Sequence, residues 1–364
     1  MENSDSTQQQ AVDYLNRHKE IISSLTTDAF WQKNPQWDRR FGEQGKERCR
    51  DDALYHLRHL SESIQAGSPL LFYKYLEWSR TLLESLKIEE AHLDSFLKTL
   101  LQSLPAEKGS DEVVAFLRSQ LENGRTHLKN APFDGKFSYL PEEEPLASLT
   151  RKYLDTMLAL KRREGCQLIL NAVENGTSIR DIYLGVFEPV QHEIGLLWQT
   201  NKISVATEHY CTATTQWVMS QLYPLILSDV EPENRVIAAS VGGELHEIGI
   251  RMVADLFELS GWESMFLGAN IPAQGLIAAI EDFQPHVLAL SVTLPYHLSL
   301  LKEMVGKVRE VYPEERLPIL VGGQPFNQDR DLWKLMGAQA TATDAGKAVT
   351  EANNLIMRNM NFAS

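Results

Sequence analysis

The sequence predicts a multidomain chain: an all-α domain over residues 1–135, a four-helix bundle over 146–228, and a doubly wound α/β domain with five parallel strands over 234–364. Three observations predict this. Apolar residues recur at helical spacing through the first 130 or so positions, with no period-two run among them. Two stretches rich in proline, glycine and charge, Ala131-Pro132-Phe133-Asp134-Gly135 and Pro141-Glu142-Glu143-Glu144-Pro145, read as a linker. After Arg235 the pattern switches to short apolar runs separated by helix-length segments, which is how a parallel sheet with crossover helices is written.

The first helix is expected over Ala11 to Leu25, followed by a polar and aromatic link through Trp31, Asn34-Pro35 and Trp37. Lys46 to Ile64 carries Leu54, Leu57, Leu60 and Ile64 on one face, and Gly67 and Pro69 end it. Leu70 to Leu86, Glu89 to Leu104 and Asp111 to Leu128 continue the helical pattern. In the bundle, Leu146 to Asn175 reads as one long helix stopped by Gly176, and Ser178 caps a short helix near Ile179. Phe187 to Trp198 and Ser204 to Ile226 complete it, joined across Gln199 to Lys202, and Leu227 to Arg235 is an acidic connector. The strands are Val236 to Val241, Ser264 to Leu267, Val287 to Ser291, Pro318 to Val321 and Ala340 to Thr343. Right-handed crossovers arrange them in the flavodoxin-like order 2-1-3-4-5.

Composition narrows the function. With 35 basic and 49 acidic residues the chain carries a net charge of −14, which argues against a nucleic-acid-binding surface. No apolar run approaches membrane-spanning length, and Met1-Glu2-Asn3-Ser4-Asp5 lacks the features of a signal peptide, so a cytoplasmic protein is expected. Three scattered cysteines, Cys49, Cys166 and Cys211, indicate neither a disulfide framework nor a thiolate metal site. No strand is followed by a GxGxxG or Walker A sequence, so neither a dinucleotide nor a nucleoside triphosphate is the favoured ligand.

In the 2-1-3-4-5 order the ends of strands 1, 3 and 4 meet at the switch point, where ligands bind. Strand 1 runs into Gly242-Gly243-Glu244-Leu245-His246-Glu247-Ile248-Gly249, strand 3 ends in Ser291-Val292-Thr293, and strand 4 ends in Gly322-Gly323-Gln324. Alone, His246 is a solvated loop histidine; beside two hydroxyls and two glycines it belongs to a crevice that admits a long buried group.

These residues resemble the cobalamin-binding domain of the methionine-synthase and mutase type, whose pattern is Asp-x-His-x-x-Gly, about 41 residues, Ser-x-Leu or Ser-x-Thr, then Gly-Gly. Here Gly249 and Ser291 are separated by residues 250–290, with Ser-x-Thr at 291–293 and the glycine pair at 322–323. The resemblance implies that His246 is the lower axial ligand to cobalt, with Ser291, Thr293, Gly322 and Gly323 around the nucleotide tail. Glu244 stands where that family has aspartate, and as the partner of the second ring nitrogen it would tune the ligand's basicity.

In the bundle, Trp198, nine intervening residues and Glu208-His209 resemble the upper-face signature of the CarH and LitR class of adenosylcobalamin photoreceptors. That likeness implies that Trp198 packs on the 5′-deoxyadenosyl group and Glu208 contacts it. Two departures stand out: no helix-turn-helix module precedes the bundle, and Gln199 replaces the histidine that follows the tryptophan in that class. The N-terminal segment Trp37-Asp38-Arg39-Arg40-Phe41-Gly42, continuing through Arg48-Cys49-Arg50 to Tyr55-His56-Leu57, resembles the globin-like regions of photocobilins, which combine cobalamin with a bilin such as biliverdin. A bilin pocket is then expected around Trp37, Arg40, Tyr55, His56 and His59, with Cys49 a conceivable attachment point.

The resemblances imply a light-responsive sensor using adenosylcobalamin, signalling as a homodimer to a downstream protein or enzyme. A corrinoid carrier of a methyltransferase system would use the same His246, Ser291 and Gly322-Gly323. A third reading is a protein-binding regulator that holds cobalamin only as a structural ligand.

Overall fold

The structure, a computed structural model, describes residues 2–105, 109–132, 138–143, 145–227 and 231–363. The expected linker positions 133–137 and 144, and positions 228–230 of the acidic connector, lie outside the described residues. The chain divides into two compact units, Met1–Asp134 and Gly135–Ser364.

The first unit is helical: α1 (Glu2–Lys33), α2 (Gln36–Gln65), α3 (Pro69–Ser85), α4 (Glu90–Gln102) and α5 (Asp111–Asn130). The first helix extends well past Leu25 because Phe30 and Trp31, placed by sequence in a link, are buried and pack edge-on against Trp37. The break shrinks to Asn34 and Pro35, where proline at a helix start costs no hydrogen bond. Gly42, at φ 60°, interrupts α2, a left-handed conformation that glycine adopts without steric cost. Leu57, Leu60 and Ile64 of α2 join Tyr14, Leu15 and Ile22 of α1, Phe72 and Leu76 of α3, and Leu117 and Leu121 of α5 in one apolar core.

The second unit begins with α6 (Ala147–Leu158) and α7 (Arg162–Glu174), where the periodicity predicts a single helix. Leu160, at φ 58°, ends α6, and the amides of Leu160 and Lys161 return to the carbonyls of Met157 and Thr156. That hydrogen-bond pattern normally announces itself by a glycine, and leucine in that place hides the turn from sequence. The short α8 (Ile179–Ile182) continues through a wide turn at Tyr183–Phe187 into α9 (Glu188–Gln199), and α10 (Val205–Leu222) follows. The Thr150 hydroxyl donates to the Gly185 carbonyl at 2.8 Å, satisfying a group inside the wide turn.

The sheet comprises β1 (Asn234–Val241), β2 (Trp262–Ile271), β3 (Val287–Ser291), β4 (Ile319–Gly322) and β5 (Ala340–Ala342), all parallel in the order β2-β1-β3-β4-β5. Its helices are α11 (Ile248–Glu258), α12 (Ala273–Phe283), α13 (Leu298–Val311), the short α14 (Gln324–Gln328) and α15 (Leu332–Leu335), and α16 (Ala345–Ala363). β2 runs past Leu267 because an irregularity in the β1 pairing, with Gly268 at φ 76°, carries the strand on to Ile271. Val236 and Ala238 of β1, Val287 and Ala289 of β3 and Leu320 of β4 share one apolar cluster with α11, α16 and bundle residues such as Tyr153, Tyr183, Phe187 and Val218. Within it the Tyr183 hydroxyl donates to Asp255 on α11 at 2.7 Å, a buried polar tie between bundle and sheet layer. Among the described residues no helix is long and apolar enough to cross a membrane.

Candidate functional site

The register sets the site. Ser240 of β1 pairs with Ser291 of β3, Ser291 with Gly322 of β4, and Gly322 with Ala342 of β5, so the strands end at one level. The loops that follow form a rim at the switch point between β1 and β3.

The β1 loop turns immediately: Gly243 has φ 79°, and the Glu244 amide returns to the Val241 carbonyl at 3.1 Å. Asn270 at the end of β2 holds this turn, accepting from the Gly243 amide at 2.8 Å and donating its own amide to the Glu244 carbonyl at 3.0 Å. The Glu244 side chain points inward and is 0% exposed, whereas the His246 side chain is 55% exposed. Glu244 Oε1 accepts from the His246 amide at 3.0 Å and from His246 Nδ1 at 2.5 Å. Its Oε2 accepts from the amides of Thr293 and Leu294, at 2.9 and 3.1 Å, and from Nδ1 of His297 at 3.1 Å. Burial opposes the charge, but hydrogen bonds from the His246 side chain and amide, His297 and Thr293 outweigh it and hold the carboxyl well below its usual range. The hydrogen bond to Glu244 conversely raises the His246 imidazole, against the effect of burial.

The tautomer of His246 follows. An ionised carboxylate only accepts, so Nδ1 of His246 carries a proton, and in the neutral ring Nε2 keeps its lone pair. The loop thus presents outward one imidazole nitrogen with the electronic form a transition metal binds, backed by a carboxylate. Among the described residues no group of three or more histidine, cysteine or acidic side chains could hold a metal ion, so a metal here would have to bring most of its own ligands.

The other expected residues divide. Thr293 enters through its amide on Glu244, and Ser291 sits at the strand end in the same row. Leu245, 73% exposed, and Gly249, around which a Cβ would meet nothing within 4 Å, leave the rim open beside His246. Gly322 is also uncrowded, the nearest atom to an added Cβ being the Ala342 carbonyl oxygen at 3.5 Å. Gly323 differs: at φ 107° its missing side chain is demanded by the Val292 carbonyl, with which any Cβ would collide. Its smallness serves the close approach of two loops. Gln324 is exposed at the start of α14.

On the bundle, Trp198 is 48% exposed at the end of α9, and Glu208 and His209 lie in the first turns of α10, paired through His209 Nδ1 at 2.5 Å. Glu208 also accepts from the Thr212 hydroxyl at 3.0 Å, and its charge acts on His246. Gln216, two turns further along α10, donates to Glu247 at 2.7 Å and ties the bundle to the His246 loop. Bundle and sheet therefore contribute to the same side of this unit. A cleft of about 330 Å³ lies between α9 and the β5 end, lined by Tyr139, Leu184, Glu188, Pro189, His192 and Asp344. Burial, reinforced by the charge of Asp344, pushes the Glu188 carboxyl up to about 7.

The five residues expected to hold a bilin fall on either side of Gly42 in α2. Trp37 is packed edge-on among Phe30, Trp31 and Phe41 and stacked on His92, while Arg40 donates to the carbonyls of Leu86 and Lys87. Tyr55, His56 and His59 lie beyond the break at Gly42, and His56 is linked back to Trp37 through the rings of Phe96 and Phe30. There Tyr55 is exposed, His56 is buried against Tyr75 and Phe96, and His59 stacks on Tyr75. The aromatics that suggested a pocket fill the space themselves. Cys49 is buried, and its thiol is pushed up to about 12 by burial, which removes the thiolate that attachment would need. None of these residues lines the cleft of about 720 Å³ in this unit, which includes Asp13, Arg17 and Ser110.

Residues 234–352 match the family described as B12 binding domain, and residues 149–223 match a second family of that description. A corrinoid protein of Desulfitobacterium hafniense is 24% identical over 234 residues, covering 63% of this chain and 95% of the relative. Dimethylamine corrinoid protein 1 of Methanosarcina mazei is 24% identical over 123 residues, 34% of this chain, and the chain spans 56% of that relative's length. In fold, the monomethylamine corrinoid protein of Methanosarcina barkeri superposes with a TM-score of 0.52 at 18% identity, covering 57% of this chain and 98% of the other. The second unit thus has the fold of a corrinoid protein, and the matched segments support cobalamin as its ligand. They do not extend to the photoreceptor class or to a bilin.

The donor chemistry fits that ligand: one outward imidazole nitrogen backed by a buried carboxylate, an uncrowded rim at Gly249 and Gly322, and an exposed tryptophan on the bundle. Sequence reasoning missed His297 and Asn270. The signal for His297 was its place six residues after Ser291, on the loop leaving the carboxyl end of β3; Asn270 carries no motif, and only its backbone at φ 56° marks it.

Proposed function

We propose that the second unit carries cobalamin as a methyl-group carrier, passing the methyl group between partner methyltransferases. The observation behind this is the Glu244–His246 pair, in which Nδ1 is spoken for and Nε2 is left to ligate cobalt. Bound cobalamin supplies an alkylatable cobalt centre; the chain orients and tunes it. His246 would hold the cobalt, Glu244 would set the tautomer and basicity of that histidine, and Ser291, Thr293 and Gly322 would border the space for the nucleotide tail. The names of the corrinoid relatives, two of them tied to methylamines, support a carrier over a photoreceptor. The partner is then a methyltransferase, with the methyl donor set by that enzyme.

Reconstitution with cob(II)alamin tests the ligand. Electron paramagnetic resonance of the wild type is expected to show splitting from one imidazole nitrogen, and His246→Ala is expected to lose it. Identical spectra from the two proteins would overturn the assignment.

One observation favours a second reading. Trp198 is exposed at the end of α9, and Glu208 in the first turn of α10 acts on His246, an aromatic face and a carboxylate suited to an adenosyl group. An adenosylcobalamin sensor would use them so. Illuminating the adenosylcobalamin-loaded protein decides it: a sensor repacks after photolysis and changes oligomeric state or partner binding, whereas a carrier shows the spectral change of cobalamin alone.

A further inference from the structure

Glu208, Thr212 and Thr215 share one face of α10, at i, i+4 and i+7, and belong to a chain of hydrogen bonds through the bundle. The Tyr153 hydroxyl on α6 lies 3.1 Å from the Thr215 hydroxyl, and both residues are fully buried. Gln191 on α9 bridges the two threonines, its Nε2 donating to Thr215 at 2.8 Å and its Oε1 accepting from Thr212 at 3.3 Å. The Thr212 hydroxyl also reaches Glu208 Oε1 at 3.0 Å. A hydroxyl on a helix commonly bonds back to the carbonyl four residues earlier, as Ser220 does to Gln216. Thr212 and Thr215 turn theirs across to neighbouring side chains, so three helices have to be packed before the chain exists.

The chain has fixed ends and an adjustable middle. Burial pushes the Tyr153 phenol up, so that end keeps a proton to give. An ionised Glu208 only accepts. Between them, Thr212 has one proton and two acceptors in reach, Gln191 Oε1 and Glu208 Oε1, and serves one fully at a time. The two ends of a glutamine amide have nearly the same shape, so turning the amide over exchanges their partners without moving another heavy atom. Nε2 then donates to Thr212, and the Thr212 proton goes to Glu208. Thr215 gives its own proton to Oε1 while accepting from Tyr153, and every donor in the chain has an acceptor.

We infer that Gln191 is a positioning residue for Glu208, acting through Thr212: its amide frees the Thr212 proton for the carboxylate and steadies the hydroxyl that delivers it. The other partner of Glu208 is less able to do so. His209 is 76% exposed, and water competes for its hydrogen bond, whereas the Glu208 side chain is 26% exposed and meets Thr212 on its sheltered side. The charge of Glu208 reaches His246, so the place where its carboxylate rests matters at the rim. A ligand donor that takes Oε1 would return the Thr212 proton to Gln191 and turn the amide over, so the same chain distinguishes an engaged Glu208 from a free one.

A ligand on Glu208 belongs to the proposed function, so the deciding experiment uses the full chain without cobalamin. Gln191→Met keeps the length of the side chain and removes its amide; Gln191→Leu replaces it if circular dichroism shows the first variant unfolded. In a double-mutant cycle with Glu208→Leu, read by urea denaturation, the two changes are expected to be coupled about fivefold in the unfolding equilibrium, ~1 kcal/mol. Thr212→Val should abolish that coupling, and Thr212→Ser, which keeps the hydroxyl, should preserve it. A merely structural glutamine would act independently of Glu208. Additive effects in folded variants, or a coupling that survives Thr212→Val, would overturn the inference. In the cobalamin-loaded protein, any loss of ligand retention caused by Gln191→Met is expected to vanish in a Glu208→Leu background, and a loss that persists there would also overturn it. If the wild type takes up no cobalamin, the proposed function fails, and the cycle still decides the role of Gln191.

Discussion

Among the buried ionisable side chains, one in each unit is treated in the opposite way from the other. Glu244 in the second unit is fully enclosed and receives five hydrogen bonds. His56 in the first unit is 6% exposed, and its Nδ1 has no partner among the described residues. Burial pushes the His56 imidazole down to about 4, so it folds neutral and behaves as an awkward apolar ring between Tyr75 and Phe96. A buried charge is retained at such cost only where a network holds it in one geometry, and that network ends at an outward-facing ring. The contrast separates a prepared site from a histidine that packs.

The largest expected effect comes from removing the prepared group. Glu244→Leu leaves the amides of His246, Thr293 and Leu294 and two imidazole donors without an acceptor, which costs about 3–5 kcal/mol by analogy with breaking a buried pair. Urea denaturation is the measurement. A loss below about 1 kcal/mol would erase the distinction between the two sites, since that is the scale of an ordinary hydrogen bond.

The complementary change should help. The folded His56 pKa lies below the ~6.5 of an unfolded imidazole, so stability is full above that value and is lost as pH falls towards about 4. At about pH 5, folding has to expel a proton at a cost of about 2 kcal/mol, and at about pH 8 it does not. His56→Leu should therefore gain about 2 kcal/mol more at the lower pH than at the higher, read from the two denaturation curves. Glu62, pushed up to about 7 chiefly by burial, tilts the wild type the other way, since its stabilising proton is lost as pH rises through 4.5–7. Taking the difference between variant and wild type at each pH isolates His56.

The same contrast explains what could be read from sequence. Strand order and the level strand ends follow from apolar runs and crossover handedness, and β1 and β3 lie close to where the pattern puts them. Glu244 and His246 were legible because a strand-to-helix turn is local and its spacing to Ser291 survives as a motif. His297 was not, because its significance is a hydrogen bond across 53 residues of sequence, and its place on the loop after β3 does not by itself reveal the partner. In the first unit, composition cannot distinguish rings that line a pocket from rings that pack on one another, as those around Trp37 do. The split at Leu160 was hidden because a residue other than glycine took the left-handed turn.

The smallest expected effect on stability falls at Trp198, and it bears most directly on function. Being 48% exposed, Trp198 holds little of the fold, and Trp198→Ala should move the unfolding free energy by no more than about 0.5 kcal/mol. Its effect on ligand depends on what lies above cobalt. A methyl group is too small to cover an indole, so a carrier should retain methylcobalamin in variant and wild type alike. An adenosyl group would stack on the ring, and burying such a face contributes enough that its loss should weaken retention of adenosylcobalamin about tenfold, with methylcobalamin as the internal control. Equal retention of both ligands leaves the carrier reading standing and removes the observation that favoured a sensor. Selective loss of the adenosyl form would mean that the exposed tryptophan, like the buried Glu244, is held for one ligand.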